Sequence, residues 1–112
     1  MAQFVKGDVV VVPFPFSAFA GDKVRPAIVL AACPFGTNTD YVLCMISTQD
    51  AADPNIMPLD VSDVVNGRLN VESFVRPTYL FTVAEMRIRK KIGNLTPGKL
   101  ASVYEKIKSI LS

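Results

Sequence analysis

Two near-continuous apolar runs, Ala27 to Cys33 and Tyr41 to Ser47, are joined by the turn-rich stretch Pro34 to Asp40, and no other feature constrains the fold as tightly. Strands with one wet face alternate apolar and polar residues, whereas unbroken apolar runs belong to strands covered on both faces. The pair therefore predicts a central hairpin with protein on either side of it. A chain of 112 residues can cover such a hairpin once, so residues 1–112 are expected to form a single domain. At that length roughly two-thirds of the unfolded chain's surface can be buried. The 50% hydrophobic content supplies the material and excludes a disordered chain.

The remaining segments fit around the hairpin. Asp8 to Phe16 (DVVVVPFPF) is β-branched and aromatic, but Pro13 and Pro15 make it an edge strand or one that leaves the sheet there. Ser17 to Val24 reads as a loop. A polar stretch from Thr48 to Asn55 precedes a short strand near Met57 to Val61, a polar turn through Asn66 and Gly67, and strands near Phe74 to Val83 and Arg87 to Gly93. Thr96 as N-cap and Pro97 at the first helical position open a helix on which Leu100, Val103, Tyr104, Ile107, Ile110 and Leu111 form one apolar stripe. The predicted class is mainly β: a small, strongly curved antiparallel barrel with a C-terminal helix packed on it.

Composition removes several kinds of chemistry. Apolar stretches such as Val9 to Val12 and Pro26 to Phe35 fall far short of the ~20 residues that span a bilayer, and the start lacks a basic-then-apolar signal pattern, so no membrane association and a cytoplasmic location are expected. Cys33 and Cys44 sit in apolar runs and read as buried, reduced thiols. With no histidine in the chain, Ser-His-Asp and Cys-His catalysis are excluded, and two distant cysteines do not make a zinc site. Asp50 with Asp53, and Asp60 with Asp63, resemble paired Mg²⁺ ligands, but acids beside prolines and turns more often cap backbone. No metal or cofactor is expected.

Charge is unevenly distributed along the chain. Residues 1–64 hold three basic and seven acidic groups, a net of −4, and residues 65–112 hold nine basic and three acidic, a net of +6. Such a cationic surface suits nucleic acid or an acidic protein segment, and equally a plain solvated face. If the hairpin turn centres near Thr37, residues whose numbers sum to about 74 pair, which sets Arg25 across from Thr48; a slip of one residue substitutes Ser47. Opposed side chains stand ~5 Å apart at Cβ, so a guanidinium and a hydroxyl would share one spot where the apolar strands end. The alternative is that both are merely solvated. Arg87, Arg89 and Lys91 alternate with Met86, Ile88 and Ile92, placing three cations on one strand face at steps of about 6.6 Å. That row either tracks the phosphates of an extended RNA strand or guards an exposed sheet edge. Phe14, Phe16 and Phe19 stack on bases or pack inward.

Read in order, these segments resemble a known family. Lys6-Gly7-Asp8-Val9-Val10, Pro13-Phe14-Pro15-Phe16 and Gly21-Asp22-Lys23-Val24-Arg25-Pro26-Ala27-Ile28-Val29-Leu30 look like the opening of the MazF/PemK-type toxins of bacterial type II toxin–antitoxin systems. Ile46-Ser47-Thr48-Gln49, Val75-Arg76-Pro77 with Leu80-Phe81-Thr82, and Lys91-Ile92-Gly93-Asn94-Leu95 follow in the family's order. The resemblance covers nearly the whole chain. It implies an SH3-like, CcdB-like barrel that forms a homodimer and acts as a metal-independent, sequence-selective endoribonuclease (mRNA interferase) on single-stranded RNA. It also implies a cognate antitoxin whose acidic or amphipathic C-terminal segment covers the RNA groove.

Carried over by motif, Arg25 and Thr48 match the family's catalytic pair, the pair that the hairpin register opposes. Lys23, Ser47, Gln49, Arg76, Arg87 and Arg89 are the expected RNA contacts. The implied reaction is attack of the ribose 2′-OH on the adjacent phosphorus, leaving a 2′,3′-cyclic phosphate and a 5′-OH. Arg25 would stabilise the charge that builds on the phosphoryl oxygens, but with a pKa above ~12 it is a poor general base. Some relatives carry an acid two residues after the later arginine, as Arg-x-Asp, whereas this chain has Arg76-Pro77-Thr78, so the proton-transfer group is not assigned. Two other classes share the fold: a CcdB-like topoisomerase poison, which the absence of tryptophan and the ending Ser109-Ile110-Leu111-Ser112 argue against, and a barrel-type binding module without catalysis.

Overall fold

A computed structural model describes residues 3–13, 24–49 and 52–112. Seven strands and one helix are seen: β1 (Asp8–Pro13), β2 (Val24–Phe35), β3 (Asn38–Ser47), β4 (Met57–Leu59), β5 (Val64–Val65), β6 (Ser73–Ala84), β7 (Lys90–Leu95) and α1 (Pro97–Leu111). They form one antiparallel sheet in the order β4-β6-β3-β2-β1-β7-β5, curled into a half-barrel with the helix on one side. The mainly β class with a C-terminal helix is the one read from the sequence.

The unbroken apolar character of the hairpin follows from two cores, one on each face of the central strands. Val9, Ile28, Cys44, Ile46 and Val75 pack with Val103 and Ile107 of α1. On the other face Val10, Val12, Ala27, Val29, Tyr41 and Leu43 pack with Phe4, Phe81, Val83 and Ile88. Alternate residues of one strand thus feed different cores, which leaves no wet face to write polar residues into.

Helix α1 starts where expected, with the Thr96 hydroxyl accepting the Lys99 N–H at 3.3 Å and Pro97 at the first turn. Val103 and Ile107 are buried and the Tyr104 hydroxyl donates to the Leu30 carbonyl at 2.5 Å, but the stripe outruns the sheet and Leu111 is 74% exposed.

One expectation is decided between its alternatives and three need correction. β1 leaves the sheet at its proline rather than running along an edge: it lies between β2 and β7, and Pro13 is its last paired residue. Phe14, Pro15, Phe16 and residues 17–23 of the stretch read as a loop from Ser17 to Val24 lie outside the described residues, while Val24 itself opens β2. Only Cys44 is buried, with its thiol pushed up to about 12 by desolvation; Cys33 is exposed because the tip of the long hairpin projects beyond the cores. The strand expected at Arg87 to Gly93 begins only at Lys90 and is preceded by a 3-10 turn at Glu85–Arg87. That turn has a topological cause: β6 lies beside β3 and β7 beside β1, so the connection must cross the mouth of the half-barrel. Finally, the strand expected near Met57 to Val61 stops at Leu59, where Asp60 and Asp63 cap a 3-10 turn over Val61–Asp63.

Two bulges shape the functional end of the sheet. The β2–β3 register shifts between Val29 and Ala31, which leaves Leu30 as the extra residue. On β6 the pairing jumps from Cys44 with Leu80 to Met45 with Arg76, so Pro77, Thr78 and Tyr79 are looped out of the ladder. A proline without an N–H fits such a gap, and the Arg76 carbonyl inside it accepts from the Cys44 thiol at 3.4 Å.

Candidate active site

Strands β2, β3 and β6 are neighbours, and Ala27 pairs with Met45, which in turn pairs with Arg76. Directly paired residues share a face, and so do residues two apart on one strand. Arg25 and Ser47 therefore belong to the same face as Arg76. Adjacent strands lie about 4.8 Å apart, which puts two guanidinium-bearing strands about 10 Å apart with β3 between them.

The Leu30 bulge settles which hydroxyl faces the arginine. From Phe35–Asn38 to Ala31–Val42 paired residue numbers sum to 73, but from Val29–Leu43 to Ala27–Met45 they sum to 72. Continuing that register places Ser47, not Thr48, opposite Arg25. Ser47 Oγ accepts the Gln49 N–H at 3.1 Å and lies 3.3 Å from the Gln49 carbonyl, a bend that carries Thr48 exposed at the strand's end. Arg25, Ser47, Thr48, Gln49 and Arg76 thus gather at one end of the hairpin.

One side chain at this site escaped the sequence reading. The Asp53 carboxylate, on the β3–β4 connection, accepts the Asn55 N–H on Oδ1 at 2.9 Å. Its Oδ2 lies 3.4 Å from Arg76 Nε, Arg76 Nη2 and Thr78 Oγ1. The Asn55 N–H first, and then the Arg76 guanidinium and the Thr78 hydroxyl, hold this carboxyl below the usual carboxylate range. Tyr79 puts its ring 4.2 Å from the Arg76 guanidinium carbon. Arg76 is therefore clasped from two sides, and the looped-out Pro77–Tyr79 segment is what frees Thr78 and Tyr79 to do so. The capping reading of Asp53 covers only its Oδ1. No local pattern announces the other contact, since Asp53 and Arg76 lie 23 residues apart.

Arg87 and Arg89 are exposed and, with Pro13 and Met86, line a recess of about 280 Å³. They do not form a row with Lys91 on one strand face, because Arg87 ends the 3-10 turn and Lys91 sits on β7, 3.9 Å from Asp8. The recess still adjoins the arginine end of the hairpin, since Pro13 pairs with Val24 and Val12 with Arg25. Lys23, Asp50, Phe14, Phe16 and Phe19 lie outside the described residues. Among the described residues no three His, Cys, Asp or Glu side chains gather as a metal site, and no helix is long and apolar enough to cross a membrane.

Guanidiniums on flanking strands, hydroxyls between them and one ionised carboxylate suit a phosphodiester: the cations meet its oxygens and the hydroxyls can orient a sugar hydroxyl. Comparison with known proteins points the same way. The family model described as PemK-like, MazF-like toxin of type II toxin-antitoxin system matches residues 5–111. An endoribonuclease solved in complex with its cognate antitoxin, from a mycobacterial species, superposes with a TM-score of 0.70 at 15% identity over 99% of this chain and 95% of that one. A second mycobacterial endoribonuclease gives 0.70 at 16% identity, covering 99% and 93%. The Mycobacterium tuberculosis toxin MazF-mt6 gives 0.67 at 21% identity, covering 93% and 95%. At these identities the superpositions speak to fold alone. No curated protein is a significant match to the chain.

Proposed function

Because the chain belongs to the PemK-like, MazF-like toxins of type II toxin–antitoxin systems, we propose that it is an endoribonuclease that cuts single-stranded RNA at chosen sequences. The carrying observation is the convergence of Arg25, Ser47 and Arg76 on one face of three adjacent strands, with Thr48 at the same strand end. In this reading the substrate's own 2′-OH attacks the neighbouring phosphorus and the 5′ oxygen leaves, giving a 2′,3′-cyclic phosphate and a 5′-OH. The nucleophile comes with the RNA, so the route asks for no metal-bound water.

Arg25 stabilises the charge that develops on the phosphoryl oxygens, a role for which removal of one preorganised donor costs about 3–4 kcal/mol. Thr48 donates to a phosphate oxygen or orients the 2′-OH. Ser47, Gln49 and Arg76 contact the RNA beside the cut, with Arg87 and Arg89 along its path and Lys23 as a further contact. The toxin acts as a single cytoplasmic domain, pairs with a second copy, and is silenced by its antitoxin. Exposed Phe35, Met86 and Leu111 are apolar surface available to such partners.

Incubating the purified, antitoxin-free protein with a long unstructured RNA in EDTA, beside Arg25→Ala, tests this. Discrete cuts bearing cyclic phosphate, absent with the variant, are expected. Intact RNA from folded protein defeats the reading and moves attention to inhibition of DNA supercoiling. Identical cutting by the variant defeats the assignment of Arg25.

A further inference from the structure

Resting on that ribonuclease reading, we propose that Asp53 is a positioning residue for RNA cleavage, whose carboxylate holds the Arg76 guanidinium in a fixed orientation toward the phosphate and the Thr78 hydroxyl oxygen toward a sugar hydroxyl. The chain has no acid of its own two residues after Arg76, where Thr78 stands. A carboxylate nonetheless reaches that place from the β3–β4 connection, with Oδ2 at 3.4 Å from Thr78 Oγ1 and from two nitrogens of Arg76.

The contacts decide what each partner can still do. An ionised carboxylate only accepts hydrogen bonds, so the Thr78 hydroxyl hydrogen points at Asp53 and its lone pairs turn away, ready to accept from a substrate hydroxyl. Arg76 commits its Nε and Nη2 side to Asp53 and one ring-covered face to Tyr79. Among the described residues no hydrogen bond engages its Nη1 end, which can meet a phosphate oxygen, and with the side chain 17% exposed the arginine reaches the surface. A guanidinium held from two sides loses little freedom when it binds, which is how a supporting carboxylate contributes to the rate.

Asp53 is not cast as the proton acceptor. Four donors already converge on its two oxygens, three of them on Oδ2. A carboxylate so held below its usual range is also a weak base at neutral pH. The competing explanation is a plain ion pair that fastens the connection to β6, and kinetics separates the two.

The experiment measures kcat and KM on a short RNA containing one mapped cut, together with thermal midpoints, for wild type, Asp53→Ala, Asp53→Asn, Asp53→Glu and the double variant Asp53→Ala/Thr78→Asp. For Asp53→Ala and Asp53→Asn, kcat is expected to fall about 10–100-fold, the range seen for partners that orient a functional side chain, with KM within about threefold. The double variant returns a carboxylate to Arg76 and is expected to recover at least tenfold of that loss, with Asp53→Glu recovering part. Folded Asp53→Asn with wild-type kcat overturns the proposal. So does a loss that neither Asp53→Glu nor Thr78→Asp relieves, or a failure of both Asp53→Ala and Asp53→Asn to fold, since each marks a purely structural contact. Wild-type protein that leaves RNA intact defeats the ribonuclease reading and this role together, whereas wild-type cutting matched by Asp53→Asn defeats only the role of Asp53.

Discussion

Asp8 and Asp53 are built alike and placed differently. Each takes a nearby backbone N–H, Val5 at 3.0 Å for Asp8 and Asn55 at 2.9 Å for Asp53, and spends its other oxygen on a distant strand. Asp8 accepts from the neutral Asn94 amide of β7 at 2.5 Å, with Lys91 only at 3.9 Å, and is 2% exposed. Asp53 is engaged at 3.4 Å by a guanidinium and a hydroxyl, at the rim of the sheet. Short bonds to neutral donors in a buried place fasten β1 to β7. Longer bonds to a cation that keeps part of its side chain exposed hold a group which, in the proposed reaction, still meets a ligand. The lesson is that a carboxylate's role follows from its partners and their exposure, not from its residue type.

The largest effect expected from breaking this contrast is on the Asp8 side. Asp8→Ala removes the bonds that the Val5 N–H and the half-buried Asn94 amide make to a buried carboxylate, and hydrogen bonds to charged groups contribute about 1.5–3 kcal/mol each, so a loss of about 2–4 kcal/mol is expected in denaturant unfolding. RNA cutting per folded molecule should stay as in wild type; a variant that folds as stably as wild type would remove the latch from the account. The two cations come next. Arg76→Met is expected to slow cleavage by about tenfold or more, because in the proposed reaction it removes a phosphate donor. Lys91→Met is expected to shift stability by less than about 0.5 kcal/mol and leave cleavage alone, as suits a half-exposed lysine 3.9 Å from its partner. Equal effects of the two substitutions on cleavage rate would erase the distinction between the carboxylates they serve.

What could be read from the sequence was what neighbours in the chain decide. The hairpin was legible because Ala27 to Cys33 and Tyr41 to Ser47 each feed two cores, and α1 because Thr96 and Pro97 cap it locally. The bulges were not, since Leu30 continues the apolar run on either side of it and the looped-out Pro77–Tyr79 is fixed by pairing with β3. That one unread residue moves Ser47 into the place opposite Arg25. The 3-10 turn at Glu85–Arg87 answers to sheet order, and no periodicity in Arg87 to Gly93 encodes it. Cys33 lies in an apolar run just as Cys44 does, yet the length of the projecting hairpin decides that only one of them is buried. At the site, Arg25, Thr48 and Arg76 stood out by motif, while Asp53 became visible only once the connection folded back against β6.

The smallest effect is one of pH, and it asks whether Asp53 is held charged in the folded protein. Its carboxyl is lowered by the Asn55 N–H, then by Arg76 and Thr78, from an ordinary value of 3.8. A carboxyl depressed by folding stabilises the native state fully above the unfolded value and loses that contribution as pH falls through the folded one. Wild type and Asp53→Asn should therefore differ in denaturant midpoint by a constant amount from about pH 5 to 8, and the gap should close in wild type's disfavour as the pH drops below about 3.8. Glu85, lowered first by the Tyr41 hydroxyl and then by the Gln3 N–H, adds a slope of the same sign, and Glu72, raised first by its contact with Asp60, one of the opposite sign. Both groups are present in the two proteins, so their slopes cancel in the difference. A gap that stays constant down to about pH 2 would show that the Arg76 and Thr78 contacts do not depend on the charge of Asp53, and would strip the rim carboxylate of what sets it apart from Asp8.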